Sequence, residues 1–208
     1  KRHNIRYSEL IELVKESHKK NYHIYSELIL GLPLESYQSF TSGMQKILVP
    51  NLNYHFNIYY CFLIPSTEMA KKEYMEKYKI ETRRCLVNFE RTIDKEDAIP
   101  EYEDIVVSTS TMPVEDWKKS FTFGYFTKAL YGYRLAYFIF NYLRKEHNVD
   151  LIELTEFIIK ECSNNNLYRT ISRCLEVLDN LENSILSDER ETIKIKGIKT
   201  SLHPEVAV

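Results

Sequence analysis

The run from Glu27 to Glu35 (ELILGLPLE) holds the residues of this chain whose types and spacing could do chemistry. Glu27 is an acidic residue within an aliphatic stretch, where a carboxylate must find a partner or a wet cavity. Gly31 lets a backbone or a ligand come close because it has no Cβ, and Pro33 stiffens the exit of the turn. We expect Gly31 and Pro33 to follow the carboxyl end of a strand, where ligands bind in α/β sheets, with Glu27 on the same face. The run therefore predicts the rim of a ligand pocket.

Each of these residues also has a purely structural interpretation. Glu27 could form an ion pair with a lysine or arginine of a neighbouring strand. A Gly-x-Pro sequence is common in ordinary turns between a strand and a helix, so Gly31 and Pro33 could serve the turn alone. Glu35 is suited to the N-terminus of the following helix, whose dipole favours an acidic group. These alternatives stay open at the level of sequence.

The other reactive side chains predict no second site. His18, His23 and His55 lack the spacing of metal ligands, so we expect no metal site among them. Cys61 falls in a predicted strand, which favours a small core residue over a nucleophile. No spacing indicates a Ser-His-Asp triad, a phosphate loop or paired catalytic carboxylates, and the catalytic residues are unknown.

Helices and strands alternate in the part of the chain that must position the candidate residues. The pattern predicts a helix capped by Ser8, a strand over 23–30, a helix over 37–48 and a strand over 54–62. This order is the βαβ rhythm of a parallel sheet. Two strands cannot close a barrel, so their edges need further strands, a partner chain or a different pairing, and self-association through these edges is possible. We expect an α/β fold (α+β as a fragment) that begins with part of a parallel barrel.

The remainder of the sequence predicts a connector and a helical extension. Residues 81–103 are charged and irregular, and 105–109 predict a short strand. Helices follow from Pro113, with a break near Gly132, a cap at Asp150 and a last helix that starts at Asn166. We divide the chain into 1–78 (C-terminal part of a barrel), 79–112 (connector with a short strand), 113–186 (helical extension) and 187–208 (a tail expected to be mobile).

Three segments resemble the radical S-adenosylmethionine (SAM) enzymes, in particular the class with an N-terminal cobalamin-binding domain. They are residues 25–35 (YSELILGLPLE), 58–69 (IYYCFLIPSTEM) and 102–117 (YEDIVVSTSTMPVEDW). The first resembles the family's fifth strand with its GLPGE turn, and the second resembles the sixth strand with its LP-x-(S/T) turn. The third resembles a strand-to-helix junction beyond the barrel. The resemblance covers residues 1–141 and identifies the chain as the C-terminal half of a radical-SAM-type barrel with a helical C-terminal extension.

The resemblance implies roles for four residues in binding SAM. Glu27 would meet the amine or the ribose of SAM, and Gly31 and Pro33 would shape the adenine side of the pocket through their backbone. Ile64 would pack against the adenine, although ordinary packing also accounts for it. Two departures are clear: Leu34 stands where the family usually has a second glycine, and the three closely spaced cysteines that ligate the iron–sulfur cluster are absent.

The four cysteines of this chain, at positions 61, 85, 162 and 174, are too far apart to imitate that cluster motif. Because the sequence also opens on Lys1, we expect a piece of a longer enzyme. By resemblance the intact enzyme would bind SAM, a [4Fe-4S] cluster and cobalamin, and would perform methyl transfer or related radical chemistry on a substrate that the sequence does not name. The cluster ligands would lie outside this chain, so the chain alone should be inactive.

The amino-acid composition argues against several other classes of protein. The 28 basic and 30 acidic residues give a net charge of −2, which argues against a general nucleic-acid binder. Four cysteines in 208 residues do not make a disulfide framework, and no signal peptide is evident, so we expect a cytoplasmic protein. The most apolar stretch, 129–143, is too short for a membrane span and contains Arg134.

Two other functional classes remain open at this stage. The aromatic helices could form a non-catalytic protein-interaction module on a barrel-derived scaffold. A cobalamin-free radical enzyme, such as a methylthiotransferase, would share the same strands.

Overall fold

Helices and strands alternate through the first half of the chain, and helices dominate the second half. The structure, a computed structural model, describes residues 5–22, 24–48, 55–86, 102–163, 166–187, 193–195 and 198–200. The α-helices are α1 (Tyr7–Lys19), α2 (Tyr37–Leu48), α3 (Lys72–Tyr78), α4 (Val114–Thr127), α5 (Tyr137–His147), α6 (Leu151–Cys162) and α7 (Arg169–Ser187). The strands are β1 (Tyr25–Leu30), β2 (His55–Tyr60), β3 (Glu81–Leu86), β4 (Tyr102–Ser108), β5 (Ile193–Ile195) and β6 (Ile198–Thr200). The predicted mixed α/β class is confirmed.

Strands β1 and β2 are parallel neighbours joined through α2, as the βαβ pattern predicts. Their register pairs Tyr25 with His55 and ends with Leu30 opposite Tyr60. In β1 the more buried side chains alternate with exposed ones, so one face of this pair meets the helices and the other is open. A parallel pair is one unit of a barrel, and the barrel itself remains a prediction.

The segment after β2 connects this parallel pair to an antiparallel hairpin. The amide of Cys61 donates to the carbonyl of Leu30 (2.8 Å), and the amide of Val106 donates to the carbonyl of Cys61 (2.8 Å). Farther along, the amide of Leu63 donates to the carbonyl of Asp104 (2.8 Å). Strand β4 pairs in turn with β3 in antiparallel orientation. The edge of β2 at its carboxyl end is therefore covered by an antiparallel strand.

Gly31 lies where this connection leaves the least space. Its φ of +96° belongs to the left-handed region that favours glycine. A Cβ at this position would come within 2.9 Å of the carbonyl oxygen of Val106. The glycine is thus required by its own backbone conformation and by the close approach of β4.

The core is centred on α4, which packs against the closed face of the sheet. The ring of Tyr60, at the end of β2, lies 6.2 Å from that of Trp117, 6.1 Å from that of Phe121 and 6.3 Å from that of Tyr125 (centroid to centroid). These three α4 residues are spaced four apart and share one helical face. Gly124 permits the approach of α4 to β2, since a Cβ there would lie 2.9 Å from Cδ1 of Ile58.

Several predicted boundaries in the second half of the chain are confirmed. The short strand predicted over 105–109 corresponds to the second half of β4, which ends at Ser108, and α4 begins directly after Pro113. A π-helical turn over Lys128–Gly132 separates α4 from α5, in agreement with the expected break near Gly132. The Asp150 carboxylate caps α6 by accepting from the amides of Ile152 (2.8 Å) and Glu153 (3.1 Å).

Other predictions of local structure are wrong. Residues 81–86 form β3 instead of an irregular segment, because pairing with β4 supplies backbone hydrogen bonds that a charged sequence does not suggest. Helix α1 begins at Tyr7 with Arg6 as its N-cap, so Ser8 lies inside the first turn. Phe157, which belongs to the apolar series of the sequence after Asp150, is 60% exposed because α6 buries the face that carries Leu151, Thr155 and Cys162.

Leu167 belongs to the predicted buried stripe of the last helix, yet it is 79% exposed. It lies in a 3-10 turn over Asn166–Tyr168, before α7 begins, so the helical periodicity does not include it. Within the predicted tail, Ser187 is the last residue of α7, and β5 and β6 form an antiparallel pair. The other residues of the tail, like His23 and 87–101, lie outside the described residues.

No helix in the described part of the chain has both the length and the apolar character needed to cross a lipid bilayer.

The close approach at Gly31 predicts a large and position-specific effect of an added methyl group. Gly31→Ala should lower the free energy of unfolding by about 2 to 4 kcal/mol, because it combines a disfavoured φ with a contact that requires the backbone to move. Gly43→Ala is the matched control, since a Cβ in the middle of α2 meets nothing within 4 Å. It should raise stability by about 0.5 to 1 kcal/mol through helix propensity. Urea unfolding followed by circular dichroism measures both; equal effects of the two substitutions would contradict the described packing.

Candidate functional site

The candidate site lies at the carboxyl ends of β1 and β2, where the sequence predicts it. The turn from Gly31 to Glu35 follows β1, and Cys61 follows β2. A hydroxyl–carbonyl hydrogen bond fixes this turn to the loop before α4, where Thr111 Oγ1 donates to the carbonyl of Glu35 (2.7 Å). Ser36 then caps α2 by accepting from the amide of Ser39 (3.2 Å). The end of β1, the start of α2 and the loop before α4 are therefore held together.

The turn keeps a glycine-like backbone at a second position. Leu34 has a φ of +72°, which is the left-handed region, although it is not glycine. This is the position at which the radical SAM family usually carries its second glycine. The backbone conformation that a glycine would favour is thus retained by a leucine, at a cost on the order of 1 kcal/mol.

Glu35 is the functional candidate that sequence reasoning undervalued. Its carboxyl group turns inward, and its Oε2 is buried with no hydrogen-bond partner among the described residues. Burial raises the pKa of Glu35 to about 7. Near neutral pH the group is therefore divided between acid and carboxylate, which is the state in which a carboxyl can both donate and accept a proton. Its position directly before a helix gave no sign of this burial.

Cys61 and Trp117 complete the buried surroundings of the turn. Burial, and secondarily the charge of Glu35, raise the pKa of the Cys61 thiol to about 11, so it stays protonated and unreactive at neutral pH. The fully buried Trp117 indole nitrogen lies 3.6 Å from the place of a Gly31 Cβ and has no hydrogen-bond partner in the described structure. The prediction that Cys61 is a small core residue agrees with its burial.

The structure separates the predicted site residues into two groups. Gly31 and Pro33 lie in the turn, and the direction of a Gly31 Cβ is filled by Val106, Cys61 and Trp117. Glu27 lies four residues earlier, about 13 Å along the strand, and is exposed on the open face of the sheet. No described element covers that face of β1, so the carboxylate of Glu27 is exposed to solvent. Its assignment to SAM stays a prediction.

The open face of β1 and β2 is unusually apolar for a surface. Tyr25 is 62% exposed, Ile29 is 43% exposed, and Ile64, beyond the end of β2, is 61% exposed. Glu27 lies between Tyr25 and Ile29 on this face and is paired in register with Asn57 of β2. A face of this composition is typical of a surface that a ligand or another part of a protein covers.

The described residues offer no metal centre. No group of three or more histidine, cysteine, aspartate or glutamate side chains within them is placed to hold a metal ion. The four cysteines form no disulfide bonds and lie in different parts of the chain. Among the described residues, therefore, none fits the ligand set of an iron–sulfur cluster.

Comparison with known proteins relates the chain to methyltransferases. It is 28% identical over 148 residues to the cobalamin-dependent radical SAM methyltransferase TokK of Streptomyces tokunonensis. It is 29% identical over 150 residues to the 2-(S-pantetheinyl)-carbapenam-3-carboxylate methyltransferase of Streptantibioticus cattleyicolor. Each match covers 71% of this chain and 22% of the relative. No family model matches the sequence.

The resemblance to cobalamin-binding radical SAM enzymes is thereby confirmed as a relationship that extends over most of the chain. The chain spans about a fifth of the length of the curated relatives that it matches.

The buried carboxyl of Glu35 predicts a specific dependence of stability on pH. Because burial raises its pKa from 4.5, the ordinary value that it regains on unfolding, to about 7 in the folded state, the native protein binds more protons than the unfolded chain between these values. The stabilisation that the protonated carboxyl contributes is thus fully present below pH 4.5 and is lost as the pH rises through 7. Glu35→Gln should remove this loss. The variant should gain about 1 to 3 kcal/mol relative to the wild type between pH 5 and pH 8, a range that allows for solvent screening of a partly buried group.

Urea unfolding at the two pH values measures this difference. An offset between wild type and Glu35→Gln that does not change with pH would show that the carboxyl is not buried as described.

Proposed function

We propose that this chain is part of a cobalamin-dependent radical SAM methyltransferase, in which it supplies the adenosine-side wall of the cofactor pocket and part of the substrate chamber. The observation that carries this proposal is the relationship, over 71% of the chain, to a protein of that name. The parallel pair of β1 and β2, with a glycine-bearing turn at its carboxyl end, agrees with the position that such a wall requires.

The open face of the sheet is the surface that we assign to the cofactor. Glu27 is the acidic group on this face, and its carboxylate could accept hydrogen bonds from the amine or the ribose hydroxyls of SAM. Ile29 and Ile64 offer exposed apolar surface on which an adenine ring could pack. A hydrogen-bond acceptor for the polar groups of SAM therefore lies next to an apolar surface that suits its adenine ring.

The turn after β1 would fix the shape of this wall without touching the ligand through side chains. Gly31 holds the end of β1 against β4, and the hydrogen bond from Thr111 holds the residues that follow. When bound, SAM together with a reduced [4Fe-4S] cluster would supply the radical, and cobalamin would supply the methyl group. The residues of this chain would contribute binding, orientation and the exclusion of water.

The iron–sulfur cluster does not fit the described residues of this chain, so we assign its ligands elsewhere in the longer protein. We assign no residue of this chain to cobalamin. For this reason we expect the chain alone to be inactive. The two alternatives, a non-catalytic interaction module and a cobalamin-free radical enzyme, are less consistent with the name of the relative.

A binding measurement on the longer protein tests the role of Glu27. In a protein that contains this chain with its cluster and cobalamin restored, Glu27→Gln should weaken equilibrium binding of SAM about tenfold, because a charged hydrogen-bond acceptor is lost. Glu146→Gln, which removes an exposed carboxylate from α5, is the control and should leave binding within twofold of the wild type. Equilibrium dialysis with labelled SAM provides a readout that does not depend on turnover.

The isolated chain should form no 5′-deoxyadenosine from SAM. Product formed by this chain alone, or a longer protein that holds no iron–sulfur cluster, would contradict the proposed function. Equal binding by wild type and Glu27→Gln would contradict only the assignment of Glu27.

A further inference from the structure

A groove in the helical part of the chain lies apart from the strand ends described above. It has a volume of about 540 Å³ and is formed mainly by α4 and α6, with single residues from α2 and α7. This volume is within the range of pockets that hold small organic molecules. None of the residues so far assigned to SAM belongs to its lining, so an inference about it does not rest on the proposed function.

The floor of the groove is apolar. Phe123 of α4 is buried in the core beneath it, and Ile159 of α6 contributes an aliphatic surface. An aliphatic or other apolar body of about six carbons would find contact here at ordinary van der Waals distances. The floor alone would not choose between ligands of different charge.

The acidic groups of the groove are largely occupied by neighbours. Glu156 accepts a hydrogen bond from the Tyr37 hydroxyl (2.6 Å). The buried Glu182 accepts from Thr122 Oγ1 (3.4 Å) and lies 3.5 Å from Lys118 Nζ. Only Glu115, at the exposed start of α4, has no such contact among the described residues.

The lysine side chains of the groove keep more of their capacity to bind a ligand of opposite charge. Burial, followed by the charge of Asp179, raises the pKa of Glu182 to about 7 although Lys118 opposes the shift. Near neutral pH Glu182 is therefore divided between acid and carboxylate, and Asp179 supplies a second carboxyl group beside it. Lys160, on α6, has no carboxylate within 4 Å in the described part of the chain. Lys119 also lines the groove and is paired with Asp116 at its exposed edge (3.4 Å).

We propose that this groove binds a small organic anion with an apolar body, whose carboxylate is held by Lys118 and Lys160 while the body lies on Phe123 and Ile159. Lysines of two different helices would meet one negatively charged group: Lys160 has no carboxylate within 4 Å among the described residues, and Lys118 would be shared with Glu182. Recognition is by charge and by apolar contact, with no covalent step.

Isothermal titration calorimetry on the full chain tests this site with hexanoate as the probe. Hexylammonium, which has the same apolar body and the opposite charge, is the control ligand. Lys160→Glu is the test variant, and Lys145→Glu, a change of the same charge at an exposed position of α5 outside the groove, is the control variant. Hexanoate should bind with one site per chain and at least about tenfold more tightly than hexylammonium.

In Lys160→Glu the affinity for hexanoate should fall at least about tenfold, whereas Lys145→Glu should stay within twofold of the wild type. Absence of hexanoate binding up to millimolar concentration would overturn the proposal. Equal binding of the two ligands would overturn it as well, since the apolar floor would then act alone. An equal loss in both lysine variants would show that only the overall charge of the chain matters, and would also overturn it.

Discussion

The Val106 carbonyl oxygen occupies the space that a Cβ of residue 31 would need, at 2.9 Å from its position, and this close approach fixes how the two halves of the sheet meet. Two hydrogen bonds run across the same place, from Cys61 to Leu30 and from Val106 to Cys61. A side chain at Gly31 would push β1 away from β4 and break this continuous connection. The parallel pair and the antiparallel hairpin are therefore one unit because a glycine stands at this point.

This connection leaves the sheet with one covered face and one exposed face. On the closed side, Trp117 is placed beside Gly31 and forms an aromatic layer with Tyr60 and Phe121. On the other side nothing in the described structure covers Glu27 and its apolar neighbours. The same turn that closes the core thus leaves an open face next to the carboxyl ends of two parallel strands. Such a face would be costly to keep exposed in a complete enzyme, and this is the physical reason for assigning it to a cofactor wall.

The sequence predicted those features that depend on local patterns. The parallel β1–α2–β2 unit, the cap at Asp150 and the break near Gly132 all follow from periodicity and residue type. It did not predict β3, because the stability of that strand comes from pairing with β4 and not from its own charged residues. It also gave no sign that Glu35 is buried, or that its backbone carbonyl is held by Thr111, 76 positions later in the chain.

The prediction of Glu27 illustrates the limit most clearly. Sequence alone placed it correctly in a strand, but an alternating pattern does not say which face a protein covers. The sequence likewise revealed only part of the reason for a glycine at position 31. Its position in a tight turn could be predicted, whereas the passage of β4 at 2.9 Å from its missing Cβ is a tertiary contact. Contacts between segments distant in sequence account for most of what the sequence did not reveal.

Amide hydrogen exchange at Cys61 and Val106 tests the central connection most directly. If these amides join the parallel pair to β4, they should exchange only through global unfolding, as slowly as the most protected amides of α4. The amide of Leu34, an exposed residue of the adjoining turn, should exchange much faster and provides an internal reference. Exchange of Cys61 and Val106 at the rate of that turn would contradict the account, because the two parts of the sheet would then not be held together at Gly31.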